Sequence, residues 1–370
     1  MPRLRLQREG EPLSTNGRLV PFSFWPAKRS RRWAVQRRLY VKDPWATLFE
    51  AVYRSSIPEQ RTSEALSYLS QAEQYFDAGT QIARQSVKPL LLYYSILNLS
   101  KCMIAVRKPT VDLSHARHGL TAMRNHKRAI LGDEIRIKTS STTVNVFSEL
   151  MEVLDGRAPT FRNLEVRHLL PQILPGHRLW TYACTRKEQF ISVDVSAFYD
   201  SEDCEAWLNI SVDRGELAYL GKSVQQLIRA SGLSGRWNQV QGNGQNSHIM
   251  LEQVNGVPYK GRPLDCVDEL FRSIRPALWS VVTTTYPHRK YYLNSDSKLG
   301  LHRVPQWASV YVLFYYLSDL TRYRPVHFDR FLESKYGPQI ESFLDECPRQ
   351  FLFLMASELL KREVAPAALV

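Results

Sequence analysis

The spacing of apolar residues divides the chain into stretches of different character. Arg3-Leu4-Arg5-Leu6 alternates and predicts a short edge strand. Prolines at 2, 12, 21 and 26 forbid a long helix around it, so residues 1–41 read as an irregular arm. From Pro44 to Arg107 the pattern is helical. Asp43 is placed to cap a helix that begins at Pro44. Thr62-Ser63-Glu64 opens a longer amphipathic helix, with Ala65, Leu66, Leu69, Ala72, Tyr75 and Phe76 on its apolar face. The next run, Lys88 to Lys101, is apolar nearly all round, as a central core helix is. Ser95, Asn98 and Cys102 form a narrow polar seam along it. A further helix is predicted over 144–154, after a Ser/Thr cluster at 139–143.

The period then changes from helix to strand. Ile191, Val193 and Val195 alternate with polar residues, as do Leu208, Ile210 and Val212. Ile249 to Val254 runs into Asn255-Gly256, the signature of a tight hairpin, with Pro258 marking the return strand as an edge. Ser280 to Tyr286 is another strand candidate. From Pro305 the pattern is helical again, through the unbroken run Val310 to Leu317 and on to Tyr323. Two more helices are predicted over about 326–345 and 348–362, with Pro348 in a first turn. The expected fold class is α+β, a mostly helical core with a small antiparallel sheet inserted in the middle of the chain. The expected division is a basic arm (1–41), a helical region (42–180), a β-rich insert (181–290), and a C-terminal helical region (291–370) packing on 42–180.

Charge adds a feature that periodicity does not show. The 370 residues carry a formal charge of +13. Ten Arg/Lys and two Glu fall within residues 1–40, so this tenth of the chain holds +8 and the rest +5. Such an arm suits an acidic partner. Lys28, Arg29, Arg31, Arg32, Trp33, Arg37 and Arg38 interleave cations with aromatics, which suits phosphate neutralisation with base stacking. The alternative is a solvated arm that packs Trp25, Trp33 and Tyr40 onto the body. Five cysteines without a CxxC pair indicate neither a disulfide framework nor a zinc cage. No apolar leader is evident, and the run Leu90 to Val106 is interrupted by polar residues. These features lead us to expect a cytoplasmic protein with no membrane association, cofactor or metal.

Other chemistry is sparse. Arg322-Tyr323-Arg324-Pro325-Val326-His327 has the R-x4-H spacing of HEPN ribonucleases, helical proteins that cut RNA without metal. There His327 would move a proton and Arg322 would stabilise charge on phosphate. Pro325 disfavours helix at Arg324, and a helix end followed by a new helix explains the same residues. His115 and His118 lie three apart, with His126 as the nearest third zinc ligand; hydrogen bonding in a turn is the plainer reading. Gly242 to Ser247 lacks the lysine of a phosphate-binding loop. Asp200, Glu202, Asp203 and Glu205 fit a solvated hairpin loop. The seam residues Ser95, Asn98 and Lys101 need partners within the core, conceivably on the helix that carries Asp319.

Three segments, taken in order, resemble the YaaC-like family of bacterial proteins. They are Lys88-Pro89-Leu90-Leu91-Leu92-Tyr93-Tyr94-Ser95-Ile96-Leu97-Asn98-Leu99-Ser100-Lys101, then His118-Gly119-Leu120, then Leu317-Ser318-Asp319-Leu320-Thr321-Arg322-Tyr323-Arg324-Pro325. The resemblance spans roughly 75–345 and leaves out the arm. It implies a cytoplasmic bacterial protein and carries over no catalytic residue. The functional expectation is a non-catalytic component binding nucleic acid (RNA or DNA) or a protein partner, in defence or nucleic-acid metabolism. The alternatives are a HEPN-like endoribonuclease using Arg322 and His327, and a structural subunit of an assembly.

Overall fold

The structure is a computed structural model that describes residues 4–26, 38–82, 85–123, 130–138, 142–241, 247–299 and 302–367. The chain forms two compact units, each made of separate stretches of sequence.

The helical unit joins residues 41–186 to 302–360. Its centre is the Lys88–Arg107 helix, which packs on helices Glu59–Gln81, Val146–Asp155, Gln306–Tyr323 and Gly337–Leu360. This helix is long and apolar enough to cross a membrane, and two thirds of its apolar window (67%) is buried inside the protein. The polar seam pairs with the Glu59–Gln81 helix. Ser95 Oγ donates to Ala72 O at 2.8 Å, Asn98 Nδ2 to Gln71 Oε1 at 3.3 Å, and the Lys101 ammonium lies over the Tyr68 ring. A partner on the Asp319 helix is therefore not what satisfies these three residues. In the Gln306–Tyr323 helix every residue from Trp307 to Leu320 is buried. Each large apolar side chain there contributes roughly 2 kcal/mol, which is why an eight-residue apolar run sits at the centre of the unit.

The C-terminal helices differ from expectation. One ends early, at Leu332, and the next runs unbroken from Gly337 to Leu360 with Pro348 inside it. An internal proline costs about 3 kcal/mol. Burial of Phe343, Leu344, Cys347, Phe351 and Leu352 on both sides of Pro348 offsets that cost.

The sheet unit comprises residues 1–40, 187–301 and 361–370. Its sheet has nine strands. The central hairpin Phe190–Asp200/Glu205–Asp213 falls where alternation predicted it, and the acidic cluster forms its turn. The sheet is neither small nor wholly antiparallel, because Arg5–Leu6 pairs in parallel with Val240–Gln241 and Glu11–Pro12 pairs with Phe198–Tyr199. Arg8 fixes this N-terminal stretch, bonding Glu252 and Glu205 and lying 4.4 Å from the Trp207 ring centroid. The Asn255-Gly256 hairpin does not form. Val257–Pro258 pairs with Glu205–Ala206 instead of folding back on His248–Gln253, whose hairpin partner is Trp237–Gln241. A side chain at Gly256 would approach Ala206 O to 2.4 Å, so this glycine serves a close crossing of chains. The Ser280–Tyr286 candidate is the strand Leu278–Val282, paired with Arg289–Asn294.

Candidate functional site

Arg322 lies in the last turn of the Gln306–Tyr323 helix, where its Nε donates to Ser318 O at 3.3 Å and its guanidinium covers the Tyr323 ring. The helix stops at Arg324 (φ −144°, ψ 51°), since Pro325 keeps its predecessor out of the helical region. Pro325 opens the next helix, and His327 sits in its first turn with its N–H on Arg324 O at 2.9 Å. The R-x4-H spacing therefore straddles a helix break. Arg324 within it is structural. Its Nη1 meets the Asp133 carboxylate at 2.8 Å, and the Tyr316 hydroxyl donates to the same oxygen at 3.0 Å.

The imidazole within the field of Arg322 is His118. Burial holds its pKa below the ordinary value, and the nearby Arg322 and Lys138 charges push it further down. Its Nδ1 accepts the Leu120 N–H at 3.2 Å, and the ring tilts against Tyr315 with centroids 5.1 Å apart. An uncharged imidazole whose Nδ1 accepts carries its proton on Nε2. The backbone fixes this arrangement. Gly119 has φ +83°, and a Cβ there would press on Asn145 at 3.0 Å. Arg117 N donates to Val144 O, Val146 N to Arg117 O, and Lys138 N to Gly119 O.

Tyrosines complete the surroundings. Burial raises Tyr315 to about 12, with the Asp319 charge adding to the effect. Tyr93, 5.6 Å from Tyr315 between centroids, is raised well above its ordinary range by burial, and Arg322 acts on it too. Tyr93, His118 and Arg322 come one each from the three segments singled out in the sequence. His118 carries two sequence signals, the His115/His118 spacing and the His118-Gly119-Leu120 segment, and the second is the one that leads to this position. Among the described residues no group of three or more His, Cys, Asp or Glu could hold a metal ion. His126 and residues 242–246 lie outside the described residues.

Of the basic arm, Lys28, Arg29, Arg31, Arg32, Trp33 and Arg37 lie outside the described residues. Arg38 is described, and its Nε pairs with Glu363 Oε1 at 2.9 Å.

The family model for YaaC-like proteins matches residues 28–359. The chain belongs to the YaaC-like family. The match begins at residue 28, so the basic cluster that the sequence reading left outside the resemblance falls inside the YaaC-like region. No curated protein and no solved structure matches the chain.

Proposed function

We propose that this YaaC-like protein is a cytoplasmic bacterial nucleic-acid-binding component, serving defence or nucleic-acid metabolism, in which His118 and Arg322 receive a backbone phosphate. The Arg322 charge acting on the half-buried His118 supports this reading. A guanidinium supplies charge and a planar set of donors, and the imidazole Nε2–H adds a directed hydrogen bond. The same geometry favours binding over cleavage. The imidazole lone pair is engaged by Leu120, so His118 as held is a donor and not a general base. The arm cations at 28–37 would add charge that holds a polyanion without reading its sequence.

Labelled RNA and DNA titrated over a salt series test this. Binding should weaken steeply with salt, and Arg322→Gln should weaken it further. Neutralising Lys28, Arg29, Arg31, Arg32 and Arg37 to Gln should reduce the salt slope. Arg38 stays unchanged in that variant because it pairs with Glu363, and the arm is not deleted because residues 5–12 supply strands to the sheet. Salt-insensitive or absent binding refutes the proposal and turns attention to protein partners. Metal-free RNA cleavage lost in His327→Ala would put the HEPN-like reading in its place.

A further inference from the structure

The sheet unit contains an arginine whose charge is poorly matched. Arg289 is 3% exposed. Its Nη1 donates to Ser280 Oγ at 3.1 Å, while Nε and Nη2 have no hydrogen-bond partner. Those two atoms form the side-on edge of the guanidinium, the edge that takes a carboxylate or phosphate with two parallel bonds. The nearest carboxylate is Glu363, whose Oε1 stands 3.8 Å from Arg289 Nε but 2.9 Å from Arg38 Nε. Glu363 Oε1 thus stands closer to Arg38 than to Arg289, and it completes no hydrogen bond with Arg289.

The surroundings add positive charge. Burial disfavours the charged form of Arg289, and Arg275 and Arg38 add to this, against the opposing influence of Tyr291 and Glu363. Trp25 links two of these cations, with Arg289 Cζ 4.7 Å and Arg275 Cζ 5.4 Å from its ring centroid. The buried Trp25 indole N–H also lacks an acceptor. A buried charge left uncompensated is strongly destabilising, and a trapped water accepts a hydrogen bond without bringing charge. An anion supplies both.

We infer that Arg289, with Arg275, Arg38 and Trp25 around it, forms a binding site for a small phosphate-class oxyanion, separate from the His118–Arg322 site. The anion accepts from the Nε–Nη2 edge of Arg289, the donors the protein leaves unmet.

The full chain is titrated with inorganic phosphate and, separately, with a phosphate monoester such as a mononucleotide, against chloride at constant ionic strength. Thermal stability and tryptophan fluorescence are read together. A saturable rise in Tm with a parallel fluorescence change is expected for one probe or both. Response to inorganic phosphate identifies the free ion as sufficient; response to the monoester alone identifies a larger ligand carrying the same group. Arg289→Lys, which lacks the planar edge, should raise the half-saturating concentration at least tenfold. Arg275→Gln, at a half-buried position, should raise it severalfold and serves where the first variant fails to fold. A wild-type response that is linear and unsaturable for both probes overturns the inference. So does a saturable response that neither variant alters. Both results are independent of nucleic-acid binding by Arg322, because Arg322→Gln should leave the response unchanged.

Discussion

Two arginines, one part-buried in the helical unit and one fully buried in the sheet unit, are treated differently by their surroundings. Arg324 in the helical unit meets Asp133 at 2.8 Å, and Tyr316 donates to the same carboxylate oxygen. Arg289 in the sheet unit finds its carboxylate at 3.8 Å, while the same oxygen lies 2.9 Å from Arg38. The first is a closed arrangement in which charge and hydrogen bonds are both met, and it fixes the end of the Gln306–Tyr323 helix next to Arg322. The second leaves donors over. The comparison teaches that burial alone does not mark a functional group; burial with donors left over does, because folding gains nothing by leaving them.

The sharpest way to break the comparison is to remove the matched carboxylate. Asp133→Ala leaves the Arg324 guanidinium and the Tyr316 hydroxyl without their shared acceptor. Breaking a buried pair from one side costs about 3–5 kcal/mol. Urea denaturation should show a loss of that size, and a loss below about 1 kcal/mol would mean that Arg324 is not matched by Asp133 at all. The next effect is titratable. His177 is buried at 4% exposure, and burial holds its pKa at about 4 against an ordinary 6.5. As pH falls below 6.5 the unfolded chain takes up a proton that the folded chain refuses. Stability is therefore full above about 6.5 and is lost progressively towards pH 4, by about 3 kcal/mol. His177→Gln should flatten this acid limb in pH-dependent denaturation, and an unchanged limb would assign it to other groups.

A smaller effect tests how rigidly the candidate site is held. Gly119→Ala places a Cβ at φ +83° against Asn145. A cost of about 1–2 kcal/mol is expected. Nucleic-acid binding should weaken beyond what that loss of stability explains, because the turn also sets the His118 ring. A variant that loses stability but binds normally would separate the turn from the site.

Much of this was legible in the sequence. The central helix at 88–107 and the buried run at 310–317 declared themselves through apolar continuity, and the 190–213 hairpin through alternation. Pro325 announced the helix break that separates Arg322 from His327. What the sequence could not show were contacts between distant segments. Nothing local in His118-Gly119-Leu120 indicates that the imidazole is buried or that Arg322, two hundred residues on, adds to the lowering of its pKa. The Asn255-Gly256 pair misled because local turn preference does not register that the sheet already supplies a neighbour for the 248–253 strand. The parallel pairing of Arg5–Leu6 likewise depends on a strand more than two hundred residues away. Arg289 reads as an ordinary surface cation in Arg-Lys-Tyr-Tyr. Its side chain is surrounded by residues distant in sequence, among them Trp25 and Glu363.

The smallest expected effect sharpens the comparison most. Arg289→Met removes a buried, under-paired charge and keeps a flexible apolar side chain of similar reach against Trp25. Replacing buried ionic groups by apolar ones is often neutral or stabilising. In phosphate-free buffer the variant should therefore lie within about 1 kcal/mol of wild type, in contrast to the several kcal/mol lost at Asp133. Adding phosphate should open a gap, because only the wild type gains from the bound anion. A ligand at a hundred times its Kd contributes about 2.7 kcal/mol. A large loss in the absence of phosphate would instead show that Glu363 and Ser280 already match Arg289 in solution, and the contrast between the two arginines would disappear. A small loss that grows with phosphate would mean that the two guanidiniums serve different ends: one closes the fold and the other waits for a ligand.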